Sequence, residues 1–407
     1  MNVPNTSSAE RSAAQAQRVQ SVMDLGFTER QARFLVVVMR HAGFCVPRQY
    51  AAFAAIANGG RRCNAFFDRL VRRGWAREIR CTHNRARLYH VYHKPLYFVI
   101  GEASSRYRRT VSTRLAIERL MLLDAVLAAP DVNWLTTTAE KATYLESLKA
   151  DTSDGAPVAP SDGQPSATAL QPSSLCSIGI ESDGRLLLLF LAAEPLTEGF
   201  RTFIQTHAAL LRVAPMWTLR IVFPRPLDCV HNAYQAVVHE ELESPLHSAT
   251  ISELKWYFDH RRKAAGESVH PLTQKTLAVG AKVFGTARFS AMYQRWLRHG
   301  NAVFEGSLSP VTAEALSTGR SRVESYVLPF SYRHLLPRVA NTPECPEAIE
   351  PGLRRANARG NSPPHVVNPG PHPLRDEPPL SALEQADSDW RRLVEAHNAQ
   401  KALEIRS

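Results

Sequence analysis

The sequence predicts an α+β protein built from two folded units. Three observations carry this. Apolar residues recur at helical spacing through most of the first 130 positions; short strand-like runs bounded by turn residues stand at 75–93 and 176–224; and a Ser, Pro, Gly and Asp stretch separates the two groups. At 407 residues the chain exceeds one domain of roughly 100 to 200 residues and can bury two cores.

Residues 1–22 are polar and read as a disordered start. Thr28 and Gln31 stand three apart ahead of Phe34, Leu35 and Met39, the pattern of a capping box opening a helix that Gly43 ends. Pro47 suits a first helical position, and Tyr50, Phe53 and Ile56 give a second short helix before Asn58-Gly59-Gly60. In the third helix Cys63, Phe66, Phe67, Leu70 and Val71 make one apolar face, and Gly74 stops it. WAREIRC and RLYHVYH, joined around Thr82-His83-Asn84, read as a β-hairpin. Helix, helix, helix, hairpin is the order of a winged helix-turn-helix domain, set here at 23–149 with a long C-terminal helix from about Arg106 to Ala129.

Residues 150–174 carry almost no apolar bulk and read as a linker. An α/β domain is expected over 175–335: CSIGIES, RLLLLFLAA, a helix from about Glu198 to Val213, and the strand WTLRIVFP in a mixed sheet. Ten prolines fall between Pro343 and Pro379, so 336–380 reads as disordered, with a last helix over 381–407.

The net charge is +11. Residues 1–150 hold 23 basic against 11 acidic side chains, a local excess of 12, which leaves the rest of the chain near neutral. A basic excess confined to one segment is the footprint of a nucleic-acid-binding module. Six scattered cysteines without a C-x-x-C pair suggest reduced thiols in a cytoplasmic protein. The apolar run Leu186 to Ala193 is far short of the roughly 20 residues that cross a bilayer, so no membrane association is expected.

Five arginines lie between Gly59 and Trp75, and the third helix turns them away from its apolar face. Arg61, Arg62, Asn64, Asp68 and Arg69 are groups that can meet base edges: Arg bridges guanine O6 and N7, Asn pairs with adenine, and Asp accepts from cytosine. Arg72 and Arg73 would reach phosphates, as would Arg80, His83, Asn84, Arg85 and Arg87 on the hairpin. A solvated basic face with local pairs such as Asp68 to Arg72 is the bland alternative. Cys81, His83, His90 and His93 have a ligand-like spacing, but strand alternation parts His90 from His93, so no metal or other cofactor is expected. Phe66, Phe67, Tyr89 and Tyr92 suit a core better than a stacking platform.

With FTERQARFLVVVMRHAGFCVPRQYAAFA, LVRRGWAREI and RLYHVYH, residues of about 27 to 126 resemble the winged-helix region of the replication-relaxation family, which includes relaxosome accessory and mobilisation proteins. The resemblance covers about a quarter of the chain, and transcription regulators share its helix-turn-helix pattern. It implies a bacterial protein of a plasmid or integrative element, nucleoid- or plasmid-associated, binding double-stranded DNA to assist replication, relaxation or conjugation. A relaxase or replication protein is the implied partner. The long helix from Arg106 could mediate a homodimer or pack across its own domain.

Catalysis is not expected. No His-x-His or Gly-Lys occurs, which argues against a relaxase metal site and a phosphate loop. The second domain's order resembles restriction-endonuclease-like folds, with Glu181 and Asp183 near its first turn, yet its second strand has no lysine and only Glu194 at its end. His239-Glu240-Glu241 lacks the second histidine of a metalloprotease helix, since position 243 is Glu. A winged-helix transcription regulator and a metal-dependent endonuclease are the alternatives.

Overall fold

The computed structural model describes residues 6–57, 60–81, 86–153, 176–266 and 270–332, together with Leu335 and Arg392. It is mixed α+β and divides into two compact units, one of residues 1–244 and 310–345 and one of 245–309 and 346–407. Within the first unit, α1 (Thr6–Met23) precedes α2 (Glu29–His41), β1 (Phe44–Cys45), α3 (Pro47–Phe53), α4 (Gly60–Arg72) and the hairpin β2 (Ala76–Arg80) and β3 (Arg87–Val91). Then come α5 (Lys94–Val99), α6 (Thr113–Leu127), β4 (Asn133–Leu135), α7 (Thr138–Ser153), β5 (Ser177–Ile180), β6 (Leu186–Leu191), α8 (Glu198–Val213), β7 (Trp217–Pro224) and α9 (His231–Val238). The second unit holds α10 (Ser248–Ala264), α11 (Pro271–Val283), α12 (Ala287–His299) and α13 (Ala302–Glu305), after which the chain returns to the first for α14 (Val311–Ser317) and β8 (Arg322–Leu328).

Two departures from the sequence reading have physical causes. The start is not without structure: Thr6–Met23 is helical, and its buried Val19 and Val22 join the core around α2. Two valines one turn apart make too narrow a stripe to mark a helix in an otherwise polar sequence. The boundary between the units does not fall at 150–174, because α6 is shared: Ala116, Leu120, Met121 and Ala125 enter one core with Phe44 and Leu88 on one side and Leu189, Val222 and Leu328 on the other. Ten of its fifteen residues are buried, so its apolar residues are taken up within this chain rather than offered to a second copy. Cys45, Cys63, Cys81 and Cys176 are free thiols. Residues 154–175, most of the expected linker, lie outside the described residues, as do the Pro-rich stretch and all of the expected last helix except Arg392.

The small sheet has order β1-β3-β2 and is antiparallel, with Phe44 opposite His90 and Ala76 opposite Val91. The large sheet is mixed, β4-β5-β6-β7-β8, antiparallel from β4 to β6 and parallel from β6 to β8.

Gly43 closes α2 at φ +70, donating its N–H to the Val38 carbonyl at 2.7 Å, a left-handed cap that favours glycine. A Cβ there would collide with the Tyr107 carbonyl oxygen. Gly43→Ala is therefore expected to cost about 3 kcal/mol, from strained φ plus a backbone clash, read as a lowered urea midpoint. An unchanged midpoint would show that the 106–108 turn yields.

Candidate nucleic-acid interface

Helix α4 is anchored by Cys63, Phe66, Phe67 and Leu70, all buried, with Phe67 stacked on Tyr89 of β3 at 4.4 Å and Phe66 against Tyr50 at 4.5 Å. The aromatic residues interleaved with the arginines thus form core, apart from Tyr92, which is half-buried beneath Arg77 at 5.1 Å. Arg61, Arg62, Asn64, Ala65, Asp68 and Arg72 are exposed on the far side of the helix. Among the described residues, Arg61, Arg62, Asn64 and Arg72 have no side-chain hydrogen-bond or ion-pair partner, and no ion pair joins Asp68 to Arg72. The local pairing that would neutralise a solvated basic face is thus not made.

Arg69 and Arg73 behave differently. Arg69 is half-buried, stacks over Phe27 at 5.2 Å and donates to the side-chain oxygen of Gln31. Gln31 is the distal residue of the capping box of α2: its side chain accepts from the Thr28 N–H at 3.3 Å while its own N–H donates to the Thr28 hydroxyl at 3.4 Å. Arg69 therefore braces α4 against the start of α2 instead of standing free for a base edge, and the partner that decides this lies 38 residues away in the chain. Arg73, although exposed, stacks over Trp75 at 5.0 Å and reaches the Leu25 carbonyl at 3.5 Å. Between α2 and α4 lies an open cleft lined by Glu29, Arg30, Ile56, Arg62, Ala65 and Arg69.

On the hairpin, Arg87 is exposed, 3.6 Å from Glu78 and hydrogen-bonded to Tyr89, and these neighbours raise its pKa from the ordinary arginine value. Asp68 adds to the same field, which places the start of β3 beside α4. Arg80 lies in β2 opposite Arg87, though its side chain lies outside the described residues. His83, Asn84 and Arg85 at the hairpin tip are also outside them.

Beneath the hairpin His90 is fully buried, stacked on Phe44 at 4.2 Å, with Nε2 3.1 Å from the Tyr107 carbonyl. Burial, with lesser help from Arg77 and Arg119, lowers its pKa to about 4; burial beside Arg40 lowers that of His41 to about 3. Both rings are thus neutral in the folded state, whereas in the unfolded chain they take up a proton near pH ~6.5. The unfolded state then binds more protons below that pH, so stability falls as pH drops from about 6.5 towards 4, by about 3 kcal/mol from His90 alone. Urea midpoints that are level between pH ~7 and pH ~5 would contradict this.

The large sheet gathers a second set of charges. Glu181 pairs with Arg220 at 2.9 Å and Arg322 at 3.0 Å and accepts from Thr218 at 2.7 Å, while Arg220 also meets Glu324 at 2.9 Å. Asp183 is paired with Arg185 at 2.7 Å and Glu194 with Arg114 at 2.7 Å. The three carboxylates are thus held apart on different arginines. In the HEELE segment the buried Arg201 guanidinium bridges Glu240 and Glu241, and His239 Nδ1 lies 3.0 Å from Glu243.

Comparison with known proteins returned no matching family model, no matching curated protein and no matching solved structure.

Proposed function

We propose that the chain is a double-stranded DNA-binding protein whose residues 23–127 work as a winged helix-turn-helix, with α4 as the helix that enters the major groove and the β2–β3 hairpin as the wing. The observation that carries this reading is the exposed side of α4: Arg61, Arg62, Asn64 and Arg72 stand without side-chain partners among the described residues, on a helix fixed from behind by four buried side chains. Unpaired guanidinium groups on a rigid element gain most from a phosphate or a guanine edge. Arg61, Arg62, Asn64 and Asp68 then read bases, and Arg72 and Arg87 meet the backbone. Arg69 drops out of the DNA-facing group and positions α4.

The narrower role, an accessory factor of a mobile element in replication, relaxation or conjugation, rests on the resemblance of residues 27–126 to the replication-relaxation family. Footprinting on DNA from the gene's own neighbourhood tests both levels. Protection at an origin of transfer or replication supports the narrow role, protection at a promoter supports a transcription regulator, and protection nowhere overturns DNA binding by this face. For the large sheet we propose a non-catalytic role in a frame of endonuclease-like strand order, since Glu181, Asp183 and Glu194 are each ion-paired with arginine. Cleavage of supercoiled plasmid with Mg²⁺ or Mn²⁺ that disappears on Glu181→Ala would overturn it.

A further inference from the structure

We propose that residues 245–309 form a second phosphate-binding surface, independent of α4, which meets duplex DNA through the C-terminal turn of α10 and through α12. The segment carries nine Lys and Arg against four Asp and Glu, a net of +5 that the acidic stretch 151–244 before it conceals when the C-terminal half is counted as one. Arg261, Arg262 and Lys263 fill the last turn of α10 and are exposed. The first two are fixed by stacking: Arg261 lies 4.2 Å over Tyr293 and Arg262 4.9 Å over Trp296, both rings belonging to α12. A guanidinium already placed over a ring loses little further side-chain entropy when it meets anion oxygens. Arg298 on α12 and Lys263 are exposed with no side-chain partner among the described residues, as are Lys275 and Lys282 on α11.

The helix dipole alone does not account for this arrangement. A cation in the last turn gains about 0.3 to 1 kcal/mol from the C-terminal carbonyls, whereas here three stand in succession on α10, and the ion pair made there is Asp259 with Arg262 at 3.2 Å. Net charge, unpaired cations and stacked guanidinium groups together fit the phosphate backbone of a duplex. A second point of attachment on the same chain also raises the effective concentration of the first.

The test compares four full-length proteins by fluorescence anisotropy on one labelled duplex over a salt series: wild type, Lys263→Ala with Arg298→Ala, the same pair with Arg261→Ala, and Arg61→Ala with Arg62→Ala and Arg72→Ala. Lys263 and Arg298 make no side-chain hydrogen bond or ion pair among the described residues, so their removal leaves the fold intact, checked by circular dichroism. The pair is expected to bind about tenfold more weakly, with the slope of log affinity against log salt shallower by about 2, near 0.9 for each phosphate no longer neutralised. Unchanged affinity and slope in both second-unit variants would overturn the proposal while leaving the α4 reading to stand on its own variant. Weakening confined to the second-unit variants would support it and overturn the α4 reading, and a wild type that does not bind duplex overturns both. Tighter binding of polyglutamate than of duplex, abolished in the same pair, would assign the surface to an acidic protein and overturn the proposal.

Discussion

Replacing Arg61, Arg62 and Arg72 together with alanine is expected to weaken duplex binding about a hundredfold at about 0.15 M salt and to make its salt dependence shallower by nearly 3, roughly one unit for each guanidinium removed. The fold should not change, since none of the three has a side-chain partner among the described residues and the helix is held by Cys63, Phe66, Phe67 and Leu70. Arg69→Ala separates bracing from DNA binding. Its removal frees the Gln31 amide and uncovers Phe27, so affinity should fall with melting temperature while the salt slope of the remaining bound state stays near wild type. A slope that falls by about one unit with no change in melting would return Arg69 to the DNA-facing group.

The second large effect is on stability. Asp124 on α6 accepts two hydrogen bonds from Arg48 at 2.8 Å each and a third from the Tyr332 hydroxyl, with Arg48 lying 3.6 Å over the Phe330 ring. The carboxylate is buried, and it ties α3 and α6 to the residues after β8. Asp124→Ala leaves a guanidinium and a phenol without their acceptor, so the first unit is expected to lose about 3 to 5 kcal/mol, the usual effect of removing one partner of a buried ion pair. Arg48→Met with Asp124→Leu should recover much of that loss, because apolar groups of similar size need no partner. If the single variant melts like wild type, water reaches the site and the pair is a surface one.

Elements whose signals are local were legible in the sequence. The Thr28 and Gln31 capping box, Pro47 at the head of α3, the five-residue apolar face of α4 and the bounds of α8 all depend on residues within a few turns of each other. The strand β4 is three residues long and β8 is half-buried along most of its length without alternation, so neither has a periodicity to detect. The candidate site divides in the same way. Which side of α4 faces outward follows from helical geometry, whereas the bracing role of Arg69 depends on Gln31, and the ion-paired state of Glu181 depends on Arg220 and Arg322, partners 38 to 141 positions distant. The basic second unit is hidden for another reason. A charge sum over the whole C-terminal half averages it with the acidic stretch 151–244 before it, and only the folded chain reveals where its boundary lies.

Because α6 is wetted on so little of its circumference, its amide protons between Ala116 and Val126 have no route to solvent short of opening both sheets at once. In heavy water they should be the last of the first unit to exchange, at a common rate set by global unfolding. The two sheets would then come apart as one cooperative body, although their strands never pair with each other.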